Sequence, residues 1–255
     1  MDFGVFYTCY KEERAVEHSL QMLYSLYPDC PVYLVSDGGS EYAPLEKKFS
    51  NLKTILSHDS KGFVSKIKEE TYRTEEMQKK ILHAVYEFFE NNMRAIEYCK
   101  KPYMMVMEPD VLVRGKVSFP PGAKLLGSRV NEGLSQYHSV LSEIPGSFLA
   151  THWGAVPAIY DVDAFKEVNN FLKGNRELVE RFALADCRFA NYDVALAILF
   201  GAVGYEETLN RELTECLRNP YWRYSGHPIL HQYREYYPKK EGEYEGRHQN
   251  ARKNF

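Results

Sequence analysis

Nowhere among the 255 residues is there an apolar run of the roughly 18 residues that a membrane-spanning helix needs. The opening MDFGVFYTCYKEER carries an acid at Asp2 and too short an apolar stretch to read as a secretory signal. No Asn-x-Ser/Thr glycosylation acceptor occurs. The five cysteines (Cys9, Cys30, Cys99, Cys187, Cys216) are an odd number, lack any Cys-x-x-Cys spacing and stand mostly inside apolar runs. That pattern excludes a disulfide framework and matches reduced, packed thiols. The expectation is a soluble, cytoplasmic protein with no membrane span. An excess of positive charge is missing too: 32 Lys and Arg face 35 Asp and Glu, a net charge of -3. Without a basic face to neutralise phosphates, nucleic acid is excluded as a partner. Walker A, a GxGxxG turn after a strand, HExxH and GxSxG are all absent, so phosphate-loop NTPases, dinucleotide oxidoreductases, zincins and serine hydrolases lose their signatures. No internal repeat and no linker divides the chain.

What is present is 44% hydrophobic content, enough to bury the core of one large α/β domain. FGVFYTCY (3–10) is β-branched and aromatic, and it leads into a run in which Val16, Leu20, Leu23 and Tyr27 fall at helical spacing before Pro28. PVYLVSDGGS (31–40) is a second strand closed by a turn at Asp37, Gly38 and Gly39. Strand, helix and strand make a βαβ unit, which requires a parallel sheet. Residues 75–100 put Met77, Ile81, Val85, Phe88, Asn92 and Ile96 on one stripe of a long helix that feeds a strand at Met104. VSFPPGAKLLGSRV reads as strands around a Pro-Pro-Gly turn, and DVDAFKEVNNFLKG as a helix with an Asp cap and a glycine stop. YDVALAILFGAVGY is almost wholly apolar and reads as a buried helix entered at Asp193. SHDSKGFVSKIKEETYRTEE (57–76) is polar and shows no clear period. The segment from Lys239 onward is charged and glycine-containing, the composition of a mobile tail.

The most informative stretch is MMVMEPDVLVRG (104–115), where an apolar strand runs into Glu108 and Asp110, separated by Pro109, before a second apolar run. An open parallel sheet binds ligands at the carboxyl ends of its strands. Two carboxylates so close repel each other, and desolvating them costs several kcal/mol unless donors or a cation satisfy them. Mg²⁺ or Mn²⁺, which takes oxygen ligands and leaves positions for substrate phosphates, is the simplest remedy. The alternative is a pair of solvated turn residues at a strand end.

This arrangement resembles the DxD element of the GT-A glycosyltransferases, enzymes that pass a sugar from a nucleotide diphosphate donor to an acceptor. The resemblance implies an α/β fold with a Rossmann-like, mostly parallel central sheet flanked by helices and a smaller mixed acceptor-side region. It implies one domain over 1–255, with a nucleotide-binding half at about 1–115, a donor-sugar and acceptor half at 116–238 and the tail at 239–255. By position, Asp110 would hold Mn²⁺ or Mg²⁺ and Glu108, which replaces the family's first Asp, would be a ribose contact or second ligand. TCYKEER ends the first strand where the family contacts the nucleotide, which points to Thr8 and Tyr10. SDGGS resembles the acidic end of the second strand, making Asp37 a base contact or, alternatively, a turn former. Arg94, 14 positions before Glu108, would touch the donor or be a surface charge.

LATHWGAVPAIYDVDAF resembles the family's small-residue segment against the donor sugar. There Gly154 would permit close backbone approach, and His152 and Trp153 would line the pocket, unless Trp153 is a core residue. ANYDVALAIL resembles the segment whose acid is the general base of inverting members; Asp193 would take that role, with Tyr192 where a Glu is usual, or would be a helix cap. GHPILHQYREYYP resembles the C-terminal metal histidine, with His231 the best fit and His227 the reserve, against a purely structural histidine. The likeness spans residues 3–235 through the order of short, degenerate motifs. It implies a UDP-sugar donor and a glycan or other hydroxyl acceptor. A sugar-nucleotide nucleotidyltransferase shares such a sheet but usually carries a glycine-rich basic loop after the first strand, where this chain has TCYKEER. A non-catalytic carbohydrate- or protein-binding module is the other alternative, supported by 20 tyrosines and the segments YWRYSGH and YREYY.

Overall fold

The computed structural model describes residues 2–9, 11–57, 74–127, 131–154, 157–210, 212–216 and 226–231. The candidate Tyr10, most of the polar stretch 57–76, the aromatic residues of YWRYSGH (221–227) and YREYY (233–237), and the expected tail lie outside the described residues. In chain order the elements are β1 (Phe3–Cys9), α1 (Glu13–Leu26), β2 (Val32–Asp37), β3 (Leu52–Ser57), α2 (Glu75–Cys99), β4 (Tyr103–Met107), β5 (Leu112–Val113) and β6 (Leu125–Gly127). They continue with β7 (Asn131–Glu132), α3 (His138–Leu141), β8 (His152–Trp153), β9 (Ile159–Asp161), α4 (Val162–Gly174), α5 (Arg176–Ala185), α6 (Tyr192–Ala202), β10 (Glu207–Leu209), β11 (Thr214–Cys216) and β12 (Ile229–His231).

Seven strands form the central sheet in the order β10-β6-β9-β4-β1-β2-β3. β1, β2, β3 and β4 run parallel, as do β10 and β6, while β9 is antiparallel to both neighbours. The expected mostly parallel α/β sheet is therefore present. Its central strands are apolar on both faces because both faces are covered. Phe6, Tyr33, Val35, Met104 and Val106 pack with residues of α2, α4, α5 and α6. Their alternates Val5, Tyr7, Val32, Leu34, Met105 and Met107 pack with α1. One residue's shift in register would exchange the two sets, so the period of two fixes which layer each side chain joins.

The long helix α2 starts at Thr74, whose hydroxyl accepts the Met77 N–H at 3.3 Å, and ends at Lys100 in the left-handed conformation with φ 52°. Asn92, on its apolar stripe, is buried because its side-chain oxygen accepts the Tyr160 hydroxyl at 2.6 Å and its amide donates to the Phe88 carbonyl at 2.8 Å. The Asp161 carboxylate caps α4 by accepting the Ala164 N–H at 2.9 Å. The structure adds two elements that the sequence pattern did not assign and departs from the expectations at one place. β3 extends the sheet at its edge, where Lys53 and Thr54 break the apolar alternation. α4 ends at Gly174 as expected, and α5 follows after Asn175, burying Val179, Phe182 and Ala183. The Pro-Pro-Gly turn precedes the strand β6 and does not join two strands, as Phe119 through Lys124 are irregular. Among the described residues no helix is long and apolar enough to cross a membrane. Cys9, Cys30 and Cys99 are free and buried, and Cys187 is free and half-buried.

Packing at the β1–β4 contact leaves no space at Gly4. A Cβ there would lie 2.5 Å from Cys99 Cβ and 2.9 Å from both Cys99 Sγ and Met104 Sδ. Gly4→Ala is expected to lower unfolding stability by about 1–3 kcal/mol, the usual range for an overpacked core. Gly174→Ala, where a Cβ meets nothing within 4 Å among the described residues, is expected to be neutral or stabilising by about 0.5–1 kcal/mol. Urea unfolding of both variants checks the pair, and equal midpoints would mean the β1–α2 layer yields at no cost.

Candidate active site

β4 lies in the middle of the sheet and ends at Met107. Pro109, which has no N–H to continue a ladder, follows Glu108, and the Val111 N–H closes a turn onto the Glu108 carbonyl at 3.0 Å. The chain then re-enters a strand as β5, which pairs antiparallel with β12 through Leu112↔Leu230 and Val113↔Ile229. Continued one step, that register sets His231 opposite Val111, next to Asp110. Glu108, Asp110 and His231 consequently come together: one ligand atom from each lies within 4.8 Å of the others. The His231 Nε2 to Asp110 Oδ1 distance is 3.9 Å, and Asp110 is only 5% exposed. Two carboxylates and an imidazole at the mouth of a parallel sheet are a donor set that suits Mn²⁺ or Mg²⁺. His227, the reserve, contributes its carbonyl to the Arg114 Nε–H at 2.7 Å and is not part of the group.

The other candidates divide by location. Thr8 and Asp37 stand at the carboxyl ends of adjacent parallel strands, and the Thr8 hydroxyl donates to Asp37 Oδ2 at 3.5 Å. Arg94 is not brought to the acidic group. It is exposed, donates to Glu90 at 2.6 Å, and its charge acts on Tyr33 near the start of β2. The reason is directional: α2 runs back along the sheet, so a residue near its C-terminus faces the strand starts, whereas Asp110 follows a strand end.

His152 and Trp153 form β8, with the His152 ring 3.1 Å from the Thr151 hydroxyl. The Trp153 indole N–H donates to Asp193 Oδ2 at 3.1 Å. One face of the indole is covered by the Arg188 guanidinium, 5.6 Å from the ring centroid. Asp186 holds that guanidinium in two-point contact. Asp193 does not cap α6: Asn191 occupies the cap position, and Asp193 Oδ1 accepts the Val194 N–H at 2.9 Å. Burial pushes the Asp193 carboxyl above its usual value, against the N–H groups of Val194 and Trp153 that pull it down.

Tyr192 ties the two groups of acids together. Its ring stacks on Phe88 of α2 at 4.9 Å and 9°. Burial pushes the phenol far up, and the charges of Glu108, Asp193 and Asp110 push in the same direction, so all four share one locality. Sequence reasoning noted Tyr192 only as a departure from a familiar pattern. It missed Glu207 entirely. Glu207, on the edge strand β10 and 8% exposed, accepts the Gly154 N–H at 2.7 Å, and no motif in YEETLN marks it. Burial raises its carboxyl to about 8, opposed by the Gly154 N–H and assisted by the charge of Asp193.

The sign of that shift gives a test. A glutamate in the unfolded chain ionises near 4.3, so between about 4.3 and 8 the folded state holds a proton that the unfolded state has lost. Stability therefore falls as pH rises through that window, by up to about 1.4 kcal/mol per unit. Glu207→Gln cannot ionise, and its melting temperature relative to the parent is expected to improve from pH 6 to pH 9. A difference independent of pH would show that Glu207 ionises as freely in the folded chain as in the unfolded one.

No protein-family model matches the sequence, and no curated protein matches it by sequence. Solved structures do match. The galactosyltransferase LgtC in complex with donor and acceptor sugar analogues superposes with a TM-score of 0.52 at 15% identity, covering 90% of this chain and 86% of that one. An active-site mutant of LgtC gives 0.53 at 15% identity over the same shares. The chain thus has the fold of a GT-A glycosyltransferase, with the acid pair at the end of its central strand.

Proposed function

We propose that the protein is a glycosyltransferase that moves a sugar from a nucleotide diphosphate donor, a UDP-sugar, to an acceptor hydroxyl on a glycan or similar molecule. The observation that carries this is the convergence of Glu108, Asp110 and His231, 123 positions apart at the extremes, at the carboxyl end of β4 in a sheet of this topology. Asp110 and His231, with Glu108 as third ligand or ribose contact, would hold Mn²⁺ or Mg²⁺. When bound, that cation supplies neutralisation of the charge that develops on the departing diphosphate. Thr8 and Asp37 would meet the nucleoside at the neighbouring strand ends, together with Tyr10, two positions after Thr8. His152, Trp153 and Gly154 form the sugar-side wall. Trp153 is partly buried against the core and is fixed by its N–H on Asp193 and by Arg188 over its ring.

Asp193 is the candidate proton acceptor for the acceptor hydroxyl in an inverting transfer. Its oxygens accept the N–H groups of Trp153 and Val194, and burial raises its affinity for a proton, which suits a base. Occupancy of the strand-end sites by nucleotide also separates this reading from a non-catalytic binding module.

Two variants test the assignment. Asp110→Ala is expected to abolish manganese-dependent binding of UDP by calorimetry and to lower donor turnover by about a hundredfold or more, since several kcal/mol of charge stabilisation are lost. Its circular dichroism should match the parent, and retained turnover would sink the metal assignment. Asp193→Asn keeps an acceptor for the Trp153 N–H but not the base. Its kcat is expected to drop about 10²–10⁴-fold with donor KM nearly unchanged, and parental kcat would remove Asp193 from the chemistry.

A further inference from the structure

Trp153 and Gly154 are held from two sides by carboxyl groups on different elements, the half-buried Asp193 and the buried Glu207. The Trp153 indole N–H reaches Asp193 of α6 at 3.1 Å, and the Gly154 backbone N–H reaches Glu207 of β10 at 2.7 Å. Gly154 also meets Gly127, at the end of β6, backbone to backbone. A Cβ on Gly127 would lie 2.6 Å from Gly154 Cα and would collide with Glu207 Oε1, and one on Gly154 would collide with the same oxygen and with Gly127 Cα. Glu207 therefore closes the third side of a slot that admits no side chain from either glycine. An apolar residue would cost less to bury on an edge strand, but it would leave the Gly154 N–H, itself buried, without its acceptor.

We propose that Glu207 is a positioning residue for the donor-sugar wall: by taking the Gly154 N–H and filling the space over the Gly127–Gly154 contact, it sets the orientation in which the Trp153 indole N–H engages Asp193. This rests on the glycosyltransferase reading above. Through Trp153, Glu207 decides which lone pair of Asp193 Oδ2 is occupied and which faces the incoming hydroxyl. Its loss should be felt in the chemical step more than in donor binding.

The chain has two tryptophans, so in a Trp222→Phe background, excited at the red edge where tyrosine does not absorb, Trp153 is the sole emitter. There, Glu207→Leu, which keeps bulk and removes the acceptor, is expected to shift Trp153 emission to the red and to increase its quenching by acrylamide. Glu207→Gln, which keeps an acceptor oxygen, is expected to hold both at parental values. In a transfer assay Glu207→Leu should lower kcat about ten- to a hundredfold with donor KM changed far less, and Glu207→Gln should restore kcat. Unchanged Trp153 emission and quenching in folded Glu207→Leu would overturn the proposal, as would a Glu207→Gln variant disturbed equally. If Glu207→Leu does not fold, Glu207→Asp, which withdraws the acceptor by one methylene, should give the same red shift, and parental emission there would overturn it as well. The fluorescence is read without turnover, so an inactive parent defeats the glycosyltransferase reading while the Glu207 comparison still decides this one.

Discussion

The site depends on how the central strand β4 is ended. Its five residues are packed on both faces, and on one side β1 runs on beyond its end to Cys9, so a break in the backbone is what turns the chain out of the sheet. Pro109 removes a donor at that point, and the Val111 N–H turns back onto the Glu108 carbonyl. Glu108 and Asp110 are thereby projected from a rigid strand end. The short antiparallel pairing of β5 with β12 then brings His231 alongside, from more than a hundred residues away. The three side chains proposed as cation ligands are thus anchored by sheet pairing on both contributing segments, which keeps their mutual geometry from being loose.

Behind the acids lie three further polar groups. Tyr192 and Asp193 are half-buried and Glu207 is buried, and each is placed by packing or by a directional contact: the Phe88 ring, the Trp153 N–H and the Gly154 N–H respectively. Burial raises the proton affinity of all three. Such groups cost free energy to bury, which their hydrogen bonds offset in part. The apolar α6, with every residue from Val194 to Ala202 buried, supplies the stiff support on which Tyr192 and Asp193 are carried.

Much of this was readable from the linear chain. The apolar alternation of FGVFYTC and VYLVSD, the 3.6-residue stripe of α2 and the Asp161 cap are local patterns, and local patterns survive without tertiary context. β3 and α5 were not readable, because an edge strand with polar residues and a helix entered directly from another helix lack the usual punctuation. Arg94 shows the opposite failure: its sequence distance from Glu108 looked favourable, but the direction of α2 along the sheet carries it to the other end.

Composition and pattern alone determined an α/β chain with a mostly parallel sheet, and the acid pair at a strand end, because side-chain periodicity and the proline break are encoded within a few neighbouring residues. Only the tertiary structure decided that His231 joins Asp110, that Trp153 belongs to Asp193 and that Glu207 belongs to Gly154. Those contacts link elements 40 to more than 100 residues apart, and their partners are chosen by strand register and by which buried polar group can reach a donor, neither of which leaves a local trace.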